Sequence, residues 1–143
     1  MSAIEPPGTG QHRHPERSRT GLQAYQTGLA AEELVCYDLR QHGFTVLEHR
    51  WSVAHTGEID LIAARQNRLL LIEVKARRLY RYTGTLAKEA LSAGQARRIW
   101  QCGLSYIQSR QLWDYIVELW LASCQLSFDG RLLALTYYPC PLA

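Results

Sequence analysis

Two short apolar runs constrain the fold more than any other feature of this chain. Glu58 to Ala64 and Leu69 to Lys75 are rich in Leu, Ile and Val and are separated only by Arg65-Gln66-Asn67-Arg68. Runs of this length flanking a polar quartet predict a β-hairpin rather than buried helices. Gln-Asn is a weaker turn pair than Asn-Gly, although Asn tolerates a positive φ. The charged residues inside the runs are the unusual part. Asp60, Glu73 and Lys75 each interrupt or end an apolar strand where Val or Ile is expected.

Strand parity gives these charges a geometry. On the second run Leu71, Glu73, Lys75 and Arg77 share one face, and Leu70, Ile72, Val74 and Ala76 share the other. A turn centred between Gln66 and Asn67 sets Asp60 across from Glu73 and Glu58 across from Lys75. Directly opposed side chains have Cβ atoms about 5 Å apart, so the two carboxylates repel and one pKa rises unless a cation intervenes. A hard divalent ion, Mg²⁺ or Mn²⁺, suits such oxygen ligands, and Lys75 beside it would orient or deprotonate a water or hold a phosphate. The plainer alternative is a surface hairpin with one cross-strand ion pair, Glu58 to Lys75.

A third carboxylate joins from the preceding helix, which the periodicity predicts over Thr27 to His42 with Thr27 as N-cap and Gly43 as the stop. Glu32 lies on the stripe of Val35, Cys36 and Leu39, while Glu33 points away with Tyr37 and Arg40. A carboxylate on a buried stripe demands a cation or a metal. An exposed Glu near a helix start, favoured by the dipole, is the alternative.

The remaining elements follow from similar signals. Phe44 to Trp51 reads as a first strand, and Ser92 with Gln95 forms a capping box that opens a second helix to about Gln108. Its buried face would carry Ala96, Ile99, Trp100, Gly103 and Ile107, with Arg97, Gln101 and Ser105 outward. Tyr115 to Ala122 and Leu132 to Tyr138 are two further strands joined through Asp129-Gly130. The order α-β-β-β-α-β-β predicts an α/β sandwich in which helices flank a mixed sheet. The chain of 143 residues fits one domain, over 25–143, and the polar, proline-bearing residues 1–24 are expected to form a flexible tail.

Charge is distributed unevenly. Residues 28–60 hold two basic and six acidic side chains, whereas residues 61–110 hold ten basic and two acidic. A basic block points to a polyanionic partner such as nucleic acid, with a solvated positive face as the alternative. Arg77, Arg78, Arg81 and Lys88 are interleaved with Tyr80 and Tyr82, a pattern in which cations neutralise phosphates and tyrosines stack on bases. Nothing resembles a base-reading helix, so structure-selective binding is expected over sequence-specific binding. Cys36, Cys102, Cys124 and Cys140 are widely spaced with no Cys-x-x-Cys pair, which argues against zinc and a disulfide frame. No apolar run spans a bilayer or marks a signal peptide, and a cytoplasmic location is expected.

Gly57-Glu58-Ile59-Asp60-Leu61-Ile62-Ala63, followed by Glu73-Val74-Lys75-x-Arg77, resembles the signature of the YraN family. These bacterial proteins are similar to the PD-(D/E)xK nuclease and Holliday-junction resolvase group. The resemblance covers most of residues 28–119, with Gly28, Glu32-Glu33, Gly43, Trp51, Arg98 and Asp114 also fitting. It implies a restriction-endonuclease-like fold, metal ligands at Asp60 and Glu73, a catalytic lysine at Lys75 and a helix carboxylate at Glu32. Three positions depart from the pattern: Ala31 replaces a usual Gly, Arg50 a usual Asn, and Gln95 a usual Lys. The last loses a phosphate contact that Arg97 or Arg98 would replace. The implied activity is Mg²⁺- or Mn²⁺-dependent hydrolysis of DNA, branched or otherwise structured, and junction resolvases add a homodimer by analogy. A non-catalytic nucleic-acid-binding module and a protein-docking face are the competing classes.

Overall fold

The computed structural model describes residues 15–78 and 90–141, with residues 15–25 as backbone only. Two helices and five strands follow in the predicted order: α1 (Pro15–Gln41), β1 (Thr45–Val53), β2 (Gly57–Arg65), β3 (Arg68–Arg78), α2 (Ala93–Arg110), β4 (Ile116–Leu126) and β5 (Leu132–Cys140). The sheet order is β1-β2-β3-β4-β5, with β3 and β4 parallel and the other pairs antiparallel. A parallel pair needs a crossover, and α2 supplies it.

The two helices cover opposite faces. Ala31, Val35, Cys36 and Leu39 of α1 pack on Leu61, Ala63, Leu70, Ile72, Ala122 and Cys124. Ile99, Cys102, Tyr106 and Ile107 of α2 pack on Ile59, Ile62, Leu69, Leu71 and Leu119. Alternation along β3 explains why one strand feeds both cores. The result is the expected restriction-endonuclease-like α/β sandwich.

The hairpin has the predicted register, from Arg65↔Arg68 to Leu61↔Ile72. Left-handed backbone falls on Gln66 (φ 54°), although Asn67 is the better-suited residue. α2 begins at the predicted capping box: the Ser92 hydroxyl accepts from the Gln95 N–H, and the Gln95 side chain accepts from the Ser92 N–H, each at 3.1 Å. A lysine at 95 has no acceptor for the second bond, so Gln95 trades a cation for a closed helix start. Its buried face adds Cys102 and Tyr106, while Ala96 and Trp100 are only half-buried.

α1 departs from expectation. It starts at Pro15, so Thr27 is a buried residue within the helix and not its cap, and residues 15–24, expected in the tail, have helical backbone. Proline suits a first helical position, and Glu, Arg, Gln and Ala extend an existing helix at little cost without burial. Residues 1–14 of the expected tail lie outside the described residues.

One irregularity places the site. The β1–β2 ladder passes from Trp51↔Ile59 to His49↔Leu61, and Arg50 between them has left-handed backbone (φ 52°). Ile59 packs in the α2 cluster and Leu61 in the α1 cluster, although residues two apart on a regular strand share a face. Trp51 likewise packs toward α2, whereas His49 lies 3.8 Å from Cys36 on α1. The ribbon therefore rolls over by one face at Arg50 and Asp60.

Candidate active site

Asp60 sits at that roll, where β2 leaves β3. The last β2–β3 pair is Leu61↔Ile72, and the next N–H on β3 facing β2 donates to a side chain: Val74 N–H bonds Asp60 Oδ2 at 2.8 Å. The carboxylate thus replaces a backbone acceptor and closes the ladder. The ladder's end at Leu61↔Ile72 corrects the expectation that Glu58 lies across from Lys75; Glu58 keeps only its pairing with Ser52 on β1.

The other expected opposition, Asp60 to Glu73, also falls beyond that last pair, yet the two acids still meet. Asp60 and Glu73 share a side-chain hydrogen bond. Burial pushes the Glu73 carboxyl up to about 8, the charge of Asp60 and this hydrogen bond push the same way, and Lys75 pulls against them. Close acidic groups raise a carboxyl in this way when no cation stands between them. Their oxygens form a donor set suited to a hard divalent ion.

Glu32 is on the predicted stripe, with its side chain 15% exposed, and its cation is Arg50. Arg50 Nε and Nη2 each lie 3.1 Å from Glu32 Oε2, and Nε is 3.4 Å from Oε1. Burial raises the Glu32 pKa, with Arg50 opposing and Asp60 and Glu58 adding to the rise. Glu32 therefore feels Asp60 and Glu58, yet its carboxylate is turned to the guanidinium. Among the described residues, no three His, Cys, Asp or Glu side chains are gathered closely enough to hold an ion. Sequence reasoning noted Arg50 only as a departure from a pattern, and a buried carboxylate's need for a partner was the signal that pointed toward it.

The basic residues separate into groups. Arg77, Arg97 and Arg98 are exposed. Arg98 and Cys102 back onto Gly57, where a Cβ would meet each at 3.6 Å, so Arg98 lies at the start of β2. Arg78 instead donates to the Phe128 carbonyl at 3.1 Å and braces the β4–β5 turn. Tyr80, Arg81, Tyr82 and Lys88 lie outside the described residues. Cys36, Cys102, Cys124 and Cys140 are free thiols, the first three buried.

A cavity of about 240 Å³ opens elsewhere on the α1 side, lined by Leu39, Phe44, Trp120 and Tyr137 among others and by none of Glu32, Asp60, Glu73 or Lys75. The acidic pair is therefore set apart from this open cleft. Among the described residues no helix is long and apolar enough to cross a membrane.

Fold and site together define an α/β sandwich protein with paired carboxylates and a lysine where two strands diverge. The chain belongs to the uncharacterised protein family UPF0102, whose family model matches residues 31–129, and this is the YraN family that the motifs resemble. It is 32% identical over 106 residues to a UPF0102 protein of Clostridium botulinum (strain Eklund 17B / Type B), covering 71% of this chain and 84% of the relative. A UPF0102 protein of Dictyoglomus turgidum (strain DSM 6724 / Z-1310) is 31% identical over 114 residues, 80% of this chain and 94% of the relative. One from Parvibaculum lavamentivorans (strain DS-1 / DSM 13023 / NCIMB 13966) is 44% identical over 80 residues, 56% of each chain.

Proposed function

We propose that this chain is a metal-dependent nuclease-like protein that hydrolyses phosphodiester bonds in DNA, branched or otherwise structured. The observation that carries the reading is the closeness of the Asp60 and Glu73 carboxyls, at the point where β2 leaves β3 and with Lys75 beside them. These carboxylates would hold Mg²⁺ or Mn²⁺ once Glu73 is deprotonated. When bound, such an ion polarises a phosphoryl oxygen and lowers the pKa of water.

The chain's own residues supply the rest. The bond from Val74 N–H fixes Asp60, so its carboxylate does not have to be ordered when substrate arrives. Lys75, two residues from Glu73 on the same face, orients or deprotonates the attacking water or clamps the phosphate. Arg97 and Arg98 on α2, with Arg77 on β3, offer phosphate contacts that position DNA without reading its bases.

A second reading is favoured by the Glu32–Arg50 pair, which engages one acid before any ion is present. In that case the same fold binds nucleic acid without cutting it. Incubating the protein with branched and single-stranded DNA, with Mn²⁺ or EDTA, beside Asp60→Asn separates the two. The nuclease reading expects cleavage that EDTA and Asp60→Asn each abolish while binding persists. Salt-sensitive binding without cleavage of any substrate supports the module.

A further inference from the structure

Arg50 pays a conformational cost to be where it is. Its backbone is left-handed (φ 52°), a region that Gly and Asn enter far more readily than a long side chain. Such a conformation persists when surrounding contacts over-determine it. Here the ribbon's roll faces Arg50 toward α1, and its guanidinium meets Glu32 in a fork at 3.1 Å.

Glu32 is also placed to serve another partner. It is mostly buried and close enough to Asp60 and Glu58 for their charges to act on it. An ion seated on the acidic pair would attract the same carboxylate, and a carboxylate gripped by a guanidinium is not free to turn.

We propose that Arg50 is a built-in competitor for Glu32: it withholds this carboxylate, so the ion is held by Asp60 and Glu73 alone and Arg50 sets the metal affinity. The inference rests on the metal centre proposed above. It makes Arg50 a positioning residue, acting through Glu32.

The test is Mn²⁺ titration of the full chain, followed by calorimetry or by the loss of free Mn²⁺ spin resonance. Four proteins are compared: the parent, Arg50→Asn, Glu32→Gln and the double variant. Asn suits the left-handed backbone, and Arg50→Gly carries the same comparison if Arg50→Asn does not fold. Arg50→Asn is expected to bind Mn²⁺ about tenfold more tightly than the parent. With Glu32→Gln in both partners of the comparison, that gain should shrink to under about threefold, because there is no carboxylate left to release. Parent and Arg50→Asn affinities within about twofold would overturn the proposal. So would an undiminished gain in the Glu32→Gln background, since simple charge repulsion by Arg50 then explains it. Failure of all four folded proteins to bind Mn²⁺ would instead remove the metal centre itself, and this inference with it.

Discussion

Val74 N–H donates to Asp60 Oδ2 at 2.8 Å, so a side chain takes the place of a strand at the point where β2 and β3 part. The same carboxylate shares a hydrogen bond with Glu73. One residue therefore ends the ladder and begins the site.

The raised Glu73 carboxyl makes stability depend on pH. Glu73 titrates at about 8 in the folded chain, raised by burial and Asp60 from an ordinary 4.5. Between those values the folded chain keeps a proton that the unfolded chain has released, so this group's contribution to stability falls as pH rises through the window. Urea unfolding from pH 4 to 9 should show Glu73→Gln gaining on the parent across about 4.5 to 8 and the two converging below it. Parallel profiles would refute the raised Glu73 carboxyl. Mn²⁺ should recover most of the parent's loss near pH 8, because its ligands must be deprotonated.

Lys75 lowers the Glu73 shift by its charge and lies on the same strand face. If it handles the attacking water or the phosphate, Lys75→Ala reduces single-turnover cleavage by about 10²- to 10⁴-fold. DNA affinity should fall far less. Measuring both on the DNA that the parent cleaves best checks the split, and an unchanged cleavage rate would exclude the role.

Gly103 allows α2 to lie close on β3. A Cβ there would stand 2.3 Å from Leu71 Cδ1 and 3.3 Å from two further Leu71 atoms, and Leu71 is fully buried. Gly103→Ala should cost about 1–3 kcal/mol by overpacking, despite Ala's better helix propensity. Denaturant melts check this. Adding Leu71→Ala should bring a cost smaller in the Gly103→Ala protein than in the parent.

The exposed arginines should behave differently from the bracing one. Arg97→Ala and Arg98→Ala are each expected to reduce the salt slope of DNA binding by about 1, whatever the sequence of the DNA. Arg78→Ala should leave that slope unchanged and lower stability by roughly 1 kcal/mol through its lost bond to Phe128. Fluorescence anisotropy over a salt series, with melts of the same proteins, distinguishes the two.

Local chemistry made much of this legible from residue order. A two-residue turn sets the register of its hairpin, which is why Asp60 could be brought near Glu73 without coordinates, although the ladder itself ends one step earlier at Leu61↔Ile72. Ser92 and Gln95 marked the start of α2 because a capping box is a three-residue relationship. Glu32 demanded a cation because a carboxylate on a buried stripe is costly alone. The partner's identity was not legible, since Arg50 reaches Glu32 across 18 positions and only through a roll in the ribbon. That roll accompanies the left-handed backbone at Arg50, between helices packed on opposite faces, so alternation alone puts Ile59 and Leu61 on one face when they lie on two. The first helix was underestimated because composition measures burial, whereas residues that favour a helix extend one already begun at little cost. Arg78 looked like its neighbour Arg77 because charge patterning cannot see the turn 50 residues away that claims it. Short-range spacing thus specified the elements and the acids, whereas pairing across the sheet chose which charge each acid meets.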